Sequence, residues 1–219
     1  MKNISLLLFL ICAPASADLQ LTMPPEKLGS LPIEWVDSLS GDFSFASKWD
    51  YPESIHKNQF GQLVCDGICR PEIDNMIDRN GRIIRDSISA YYRLVDTTHE
   101  YRSIECEAWC YEWAGSNTIY VSRKDGDTVE CFSAGSAGTH CSLHLLIVKE
   151  HCLASIKVIS IAFDGNASYP CKSGFIRIDR GLFARDILKG EFDMQFKHEE
   201  NPVQKMFWKG KIYAKITQK

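Results

Sequence analysis

Two stretches near the C-terminus, LKGEFDMQF (188–196) and WKGKIYAKI (208–216), decide the fold. In the first, Leu188, Gly190, Phe192, Met194 and Phe196 alternate with Lys189, Glu191, Asp193 and Gln195. In the second, Trp208, Gly210, Ile212, Ala214 and Ile216 alternate with Lys209, Lys211, Tyr213 and Lys215. A period of two is that of a strand with one apolar and one polar face. If a loop around Pro202 joins them as an antiparallel hairpin, symmetric pairing sets Phe192 opposite Ile212 and Asp193 opposite Lys211. An exposed cross-strand pair of that kind contributes only about 0.2 to 1 kcal/mol. Each large apolar side chain buried beneath it contributes roughly 1.5 to 3 kcal/mol. A sheet with one wet face must cover the other. The expectation is a mainly β fold, a disulfide-stapled antiparallel β-sandwich or a one-sided sheet, with short helices near 72–78 and 86–96.

Working outward, Lys124-Asp125-Gly126-Asp127 separates two β-rich runs, 119–123 and 128–132. Asp-Gly supplies the positive φ of a tight hairpin turn. Residues 143–149 and 156–163 are β-branched apolar runs, and 175–179 is a short alternating one. Residues 101–113 also alternate, with Trp109, Tyr111 and Trp113 on one face and Ile104, Cys106, Ala108 and Cys110 on the other. The aromatic face is expected to fill the core; its alternative is a surface platform. Pro71 opens one short helix, and Asp86 caps another whose apolar face is Ile88, Tyr91, Tyr92 and Val95. Residues 18–64 read as loop plus one or two strands, including the alternating Asp42-Phe43-Ser44-Phe45.

The N-terminus reads as a secretory signal peptide, residues 1–17: Lys2, an apolar run over 4–13, then Ala15-Ser16-Ala17 as the small-residue cleavage pattern. No later stretch approaches the roughly 20 apolar residues of a membrane-spanning helix. Residues 18–219 are then one extracytoplasmic β-rich domain, with a possible subregion over 18–98 packed on strands from 99 onward. The formal net charge of the full chain is −3 with no long run of one sign, which leaves no basic footprint for nucleic acid.

Of nine cysteines, Cys12 falls in the signal and eight remain: Cys65, Cys69, Cys106, Cys110, Cys131, Cys141, Cys152 and Cys171. An even number in an exported chain reads as disulfides. Residues four apart on a strand lie about 13 Å apart, beyond the roughly 7 Å that bridged Cα atoms allow. Cys106 and Cys110 therefore need other partners. The most economical set ties the Cys65/Cys69 turn to Cys106 and Cys110 and pairs Cys131 with Cys141 and Cys152 with Cys171. Zinc held by the two Cys-x₃-Cys pairs is the alternative.

Three patterns bear on chemistry. His140 and His144 form an H-x₃-H pair, but Cys141 stands where a metalloprotease helix carries Glu. Ala134-Gly135-Ser136-Ala137-Gly138 is one glycine short of a nucleophile elbow and has no α/β surroundings. Trp109, Tyr111 and Trp113 offer rigid faces with polar tips, suited to sugar rings or a protein partner. The expected function is an exported, non-enzymatic binding or inhibitory protein acting on an extracytoplasmic protein or glycan, with no cofactor and no metal. The alternatives are a small secreted hydrolase, metal-dependent through His140 and His144 or using Ser136, and a carbohydrate-binding module using the aromatic strand.

Overall fold

The computed structural model describes residues 29–52, 54–66, 69–110, 113–124, 126–134, 140–160, 165–197 and 205–218. The signal-peptide reading, Ser136, Tyr111 and the Pro202 loop lie outside the described residues.

The chain is mainly β. The C-terminal hairpin is present as β13 (Ile187–Phe196) and β14 (Met206–Lys215). Its faces divide as the alternation requires: Leu188, Phe192, Met194, Trp208 and Ile212 are buried. Its register differs from symmetric pairing by two residues, with Phe192 opposite Gly210 and Asp193 opposite Lys209. A shift of two leaves every side chain on its own face, which is why the pattern alone does not distinguish the two registers. Gly210 sits between Phe192 on β13 and Cys106 on the next strand, β6 (Ile104–Trp109). A side chain there would meet the Glu105 carbonyl and the Cys106 Cβ, so glycine permits the close approach of β14 and β6.

The 119–133 hairpin is also present, as β8 (Ile119–Arg123) and β9 (Thr128–Ser133). Gly126 takes φ +69°, and Lys124 N–H donates to the Thr128 carbonyl at 2.8 Å. Next to β9 run β10 (Cys141–Val148), β11 (His151–Ser160) and β12 (Gly165–Asp179). The last is far longer than its alternating segment, 175–179. Its first part, through Pro170, pairs with β11, and from Cys171 it pairs with β13, with an irregularity between Cys171 and Ser173. Pro170 has no N–H to give, and it stands where the strand changes partners.

The gap that opens between β11 and β12 is filled by β1 (Gly29–Val36). Its first half is antiparallel to β11 and its second half parallel to β12. With β7 (Trp113–Ala114) and β15 (Thr217–Gln218), the result is an eleven-stranded sheet in the order β15-β8-β9-β10-β11-β1-β12-β13-β14-β6-β7. β14 bonds β6, while its continuation β15 bonds β8 in parallel. The sheet thereby curls until its two arms face each other across one core, which holds Ile104, Val129, Leu143, Leu145, Ile156, Ile176, Phe192 and Trp208.

Residues 51–99 leave this sheet as an excursion with its own small core of Ile55, Val64, Ile73, Ile83, Tyr91 and Val95. It carries the hairpin β3 (Ile55–Lys57) and β4 (Leu63–Cys65), a 3-10 turn at Pro71–Met76 and helix α1 (Ile88–Leu94). Both short helices are found where expected, with two corrections. The first is 3-10 rather than α, and α1 is preceded by a 3-10 turn, so Asp86 does not cap it. Tyr91 and Val95 face inward while Ile88 and Tyr92 remain exposed. The Tyr91 hydroxyl accepts the Cys65 N–H at 2.7 Å.

Two further expectations fail. Asp42-Phe43-Ser44-Phe45 is no strand, because the Asp42 carboxylate accepts the Ser44 N–H at 2.8 Å and turns the chain into a 3-10 segment, Ser44–Ser47. The cysteine pairing also changes. Cys65 and Cys69 are bonded to each other, their Cα atoms 6.1 Å apart across a turn. Cys131 pairs in register with Leu145, four residues along β10 from Cys141. That separation is about 13 Å, too long for a Cys131–Cys141 bridge.

Candidate ligand-binding site

The excursion joins the sheet through a stem of two short strands, β2 (Trp49–Asp50) and β5 (Glu100–Tyr101), with Trp49 opposite Tyr101 and Asp50 opposite Glu100. Each leg of the stem carries the same pattern, an acid between two rings: Trp49-Asp50-Tyr51 and His99-Glu100-Tyr101. The rings pack against one another at the stem. Trp49 lies 4.4 Å from His99 and 5.0 Å from Tyr51 between centroids, and His99 lies 5.9 Å from Tyr101. Packing among themselves leaves Trp49 43% and Tyr101 60% exposed.

A cleft of about 610 Å³ opens between the stem and the curled sheet. Asp50, Tyr51, Pro52 and Glu100 form one wall, and Ser116, Asn117, Thr118 and Tyr120 the other. Tyr120, 57% exposed, also borders a second hollow of about 360 Å³ that Tyr101 and Arg102 help to line.

The polar floor is fixed. Arg102 donates from Nε and Nη2 to the two oxygens of Asp50 at 2.6 and 2.8 Å, the bidentate fork that matches guanidinium to carboxylate. Asn117 Nδ2 adds a longer bond to Asp50 at 3.3 Å. The Arg102 hydrogen bond holds the Asp50 carboxyl below the usual range, and the same bond raises the guanidinium. The Asn117 carbonyl accepts Ser103 N–H at 2.9 Å, which ties the opposite wall to the strand that follows Arg102. Ser116 and Thr118 brace each other, Ser116 Oγ donating to the Thr118 carbonyl at 2.8 Å. Flat rings beside a held carboxylate, an amide and hydroxyls can stack on an apolar ring face while exchanging hydrogen bonds with its substituents.

The residues singled out from sequence fall elsewhere. Trp109 and Trp113 are not core. The small side of β6, Ile104 and Ala108, is buried together with Cys110, while Trp113 is 63% exposed. The run of alternation is no single strand either: it divides into two antiparallel strands, β6 and β7, with Trp109 opposite Trp113. Their rings meet edge-on at 5.2 Å, with Phe207 6.5 Å from Trp113. The aromatic platform is therefore a surface patch at the β7 edge, built from Trp109, Trp113 and Phe207.

His140 immediately precedes β10, and His144 lies within it. Extended chain sets residues four apart at about 13 Å, too far for the two rings to share a metal ion. His144 Nε2 instead lies 3.1 Å from Glu130, which also receives Lys124 Nζ at 2.8 Å. Burial lowers the His144 pKa, with the Glu130 contact opposing it in part. Burial would raise Glu130, but the Lys124 and His144 hydrogen bonds outweigh it and leave the carboxyl below its usual value.

The stem residues themselves were not singled out from sequence. The signal that marks them is the repeated ring-acid-ring triplet, fifty residues apart in the chain. Its two halves acquire meaning only when β2 and β5 pair. Comparison with known protein families, with curated proteins and with solved structures returns no match.

Proposed function

We propose that this chain is an exported binding protein that takes a saccharide in the stem cleft. The supporting observation is the cleft's composition: the rings of Tyr51 and Tyr120 line it together with an Asp50 carboxylate held by Arg102 and Asn117. A pyranose presents a flat C–H face and a rim of hydroxyls, which fits rings beside fixed donors and acceptors. Arg102 neutralises Asp50, and the Glu100 carboxylate in the wall adds an acceptor. Export follows from the signal-peptide reading of residues 1–17, and the Cys65–Cys69 bond is in keeping with it.

A glycan array probed with the chain and with Tyr120→Ala tests the reading. The expected result is retention of a defined set of glycans and a loss of about tenfold or more in affinity for the variant, the equivalent of about 1.4 kcal/mol. Equal binding by both proteins, or none by either, contradicts it. A second reading uses the edge patch of Trp109, Trp113 and Phe207, favoured by the exposure of Trp113. In that case Trp113→Ala abolishes retention and Tyr120→Ala does not.

A further inference from the structure

Among the described residues, six cysteines beyond the Cys65–Cys69 bond are thiols: Cys106, Cys110, Cys131, Cys141, Cys152 and Cys171. They are not equivalent. Cys106 exchanges hydrogen bonds with Ser116, its thiol 3.4 Å from both the N–H and the carbonyl of that residue. Cys131 and Cys152 lie on the core faces of β9 and β11, beneath neighbouring strands. Cys110 and Cys141 differ from all of these. Cys110 immediately follows β6 in one arm of the curled sheet, and Cys141 begins β10 in the other. Both are buried in the same core, at 0% and 2% exposure. The two side chains belong to one buried core cluster, and contact with the Cys141 thiol is the largest cause of the raised Cys110 pKa.

We infer that Cys110 and Cys141 are joined as a disulfide in the exported protein, a staple between the two arms of the curled sheet. The inference rests on the export reading only for the source of its oxidant. Bonding brings the two sulfurs of a contacting pair to about 2 Å. In the reaction the two S–H bonds break and one S–S bond forms. Two protons and two electrons pass to a disulfide acceptor, oxidised glutathione or the disulfide form of a dithiol oxidoreductase, which becomes two thiols.

The order of events follows from burial. The reacting species is the thiolate, and the Cys141 contact and burial push the Cys110 pKa far above the usual thiol value. Inside the closed core the pair is a poor nucleophile and has no access to a bulky acceptor. Oxidation therefore accompanies folding, while the ends of β6 and β10 are still open. The same shielding protects the finished bond from external reductants.

The test is to refold the fully reduced chain in a mixture of reduced and oxidised glutathione. Remaining thiols are then blocked with a maleimide in denaturant, and the protein is digested without reduction for mass spectrometry. The expected product is a peptide containing Cys110 linked to one containing Cys141, two hydrogens lighter than the separate thiol forms. Maleimide on both residues, or either one linked to a different cysteine, overturns the inference. Because glutathione supplies the oxidant, this outcome does not depend on export, which N-terminal sequencing of the secreted protein tests by itself. The variant Cys110→Ser, refolded and blocked in the same way, should gain maleimide at Cys141, where the unaltered chain has none. An unlabelled Cys141 in that variant reveals another partner and also overturns the inference. Both readouts are taken in denaturant, so they hold even if the variant folds poorly.

Discussion

Removing the Phe192 ring tests the core directly. Phe192 is 3% exposed on the apolar face of β13, opposite Gly210 and two residues from the fully buried Met194. Phe192→Ala therefore opens a cavity in the core, and the expected loss is about 3 to 5 kcal/mol. At roughly 2 to 4 °C per kcal/mol for a chain of this length, the midpoint should fall by about 6 to 20 °C. Asp193, the next residue, points outward beside Lys209. Asp193→Ala is expected to change stability by less than about 1 kcal/mol. Differential scanning calorimetry and urea melts of the two variants give the comparison. Equal losses would mean that the strand does not divide into a dry and a wet face, and would refute the assignment of the core.

Three further outcomes follow. Gly210→Ala should destabilise by about 1 to 3 kcal/mol despite its small size, because the new Cβ meets the Glu105 carbonyl and lies 2.8 Å from the Cys106 Cβ; a neutral result in a urea melt would place β14 in another register. His144 has a folded-state pKa lowered chiefly by burial, with Glu130, Lys157 and Lys124 around it. Its contribution is present above the unfolded value near pH 6.5 and is lost as pH falls through the folded value, so His144→Gln should flatten that part of the stability–pH profile. Asp50, lowered chiefly by its Arg102 hydrogen bond, contributes above the unfolded value of about 3.9 and loses that contribution as pH falls through the folded one. With side chains 31% and 42% exposed, the pair is worth under about 1 kcal/mol, and the melts of Asp50→Asn and the unaltered chain should converge in acid.

What the sequence made legible was local. Alternation over 188–196 and 208–216 identified the strands and their faces, and Asp125-Gly126 located a hairpin, because both signals act over a few residues. The register of β13 on β14 was beyond reach, since a two-residue slide preserves the pattern. β1 and the first part of β12 carry Pro32 and Pro170, which argue against central strands. Both prolines are tolerated where the sheet changes partners, a circumstance set by residues more than a hundred positions away. On 101–113 the larger side chains pointed to the wrong face. Ile104, Ala108 and Cys110 pack inward because β6 lies close against β14, while the tryptophans stand outside. The cleft was least legible, because its walls come from 50–52, Glu100 and 115–120 and meet only through non-local pairing.

The most direct measurement is a titration of the isotopically labelled chain with a panel of neutral oligosaccharides, followed by the shifts of its five indole N–H signals and the Asn117 side-chain amide. The account predicts that a binding sugar moves the Asn117 amide, that Trp35 and Trp208 stay fixed, and that Tyr120→Ala abolishes the Asn117 shift. Movement confined to Trp109 and Trp113, or no movement with any sugar of the panel, would contradict the assignment of the stem cleft as the binding site.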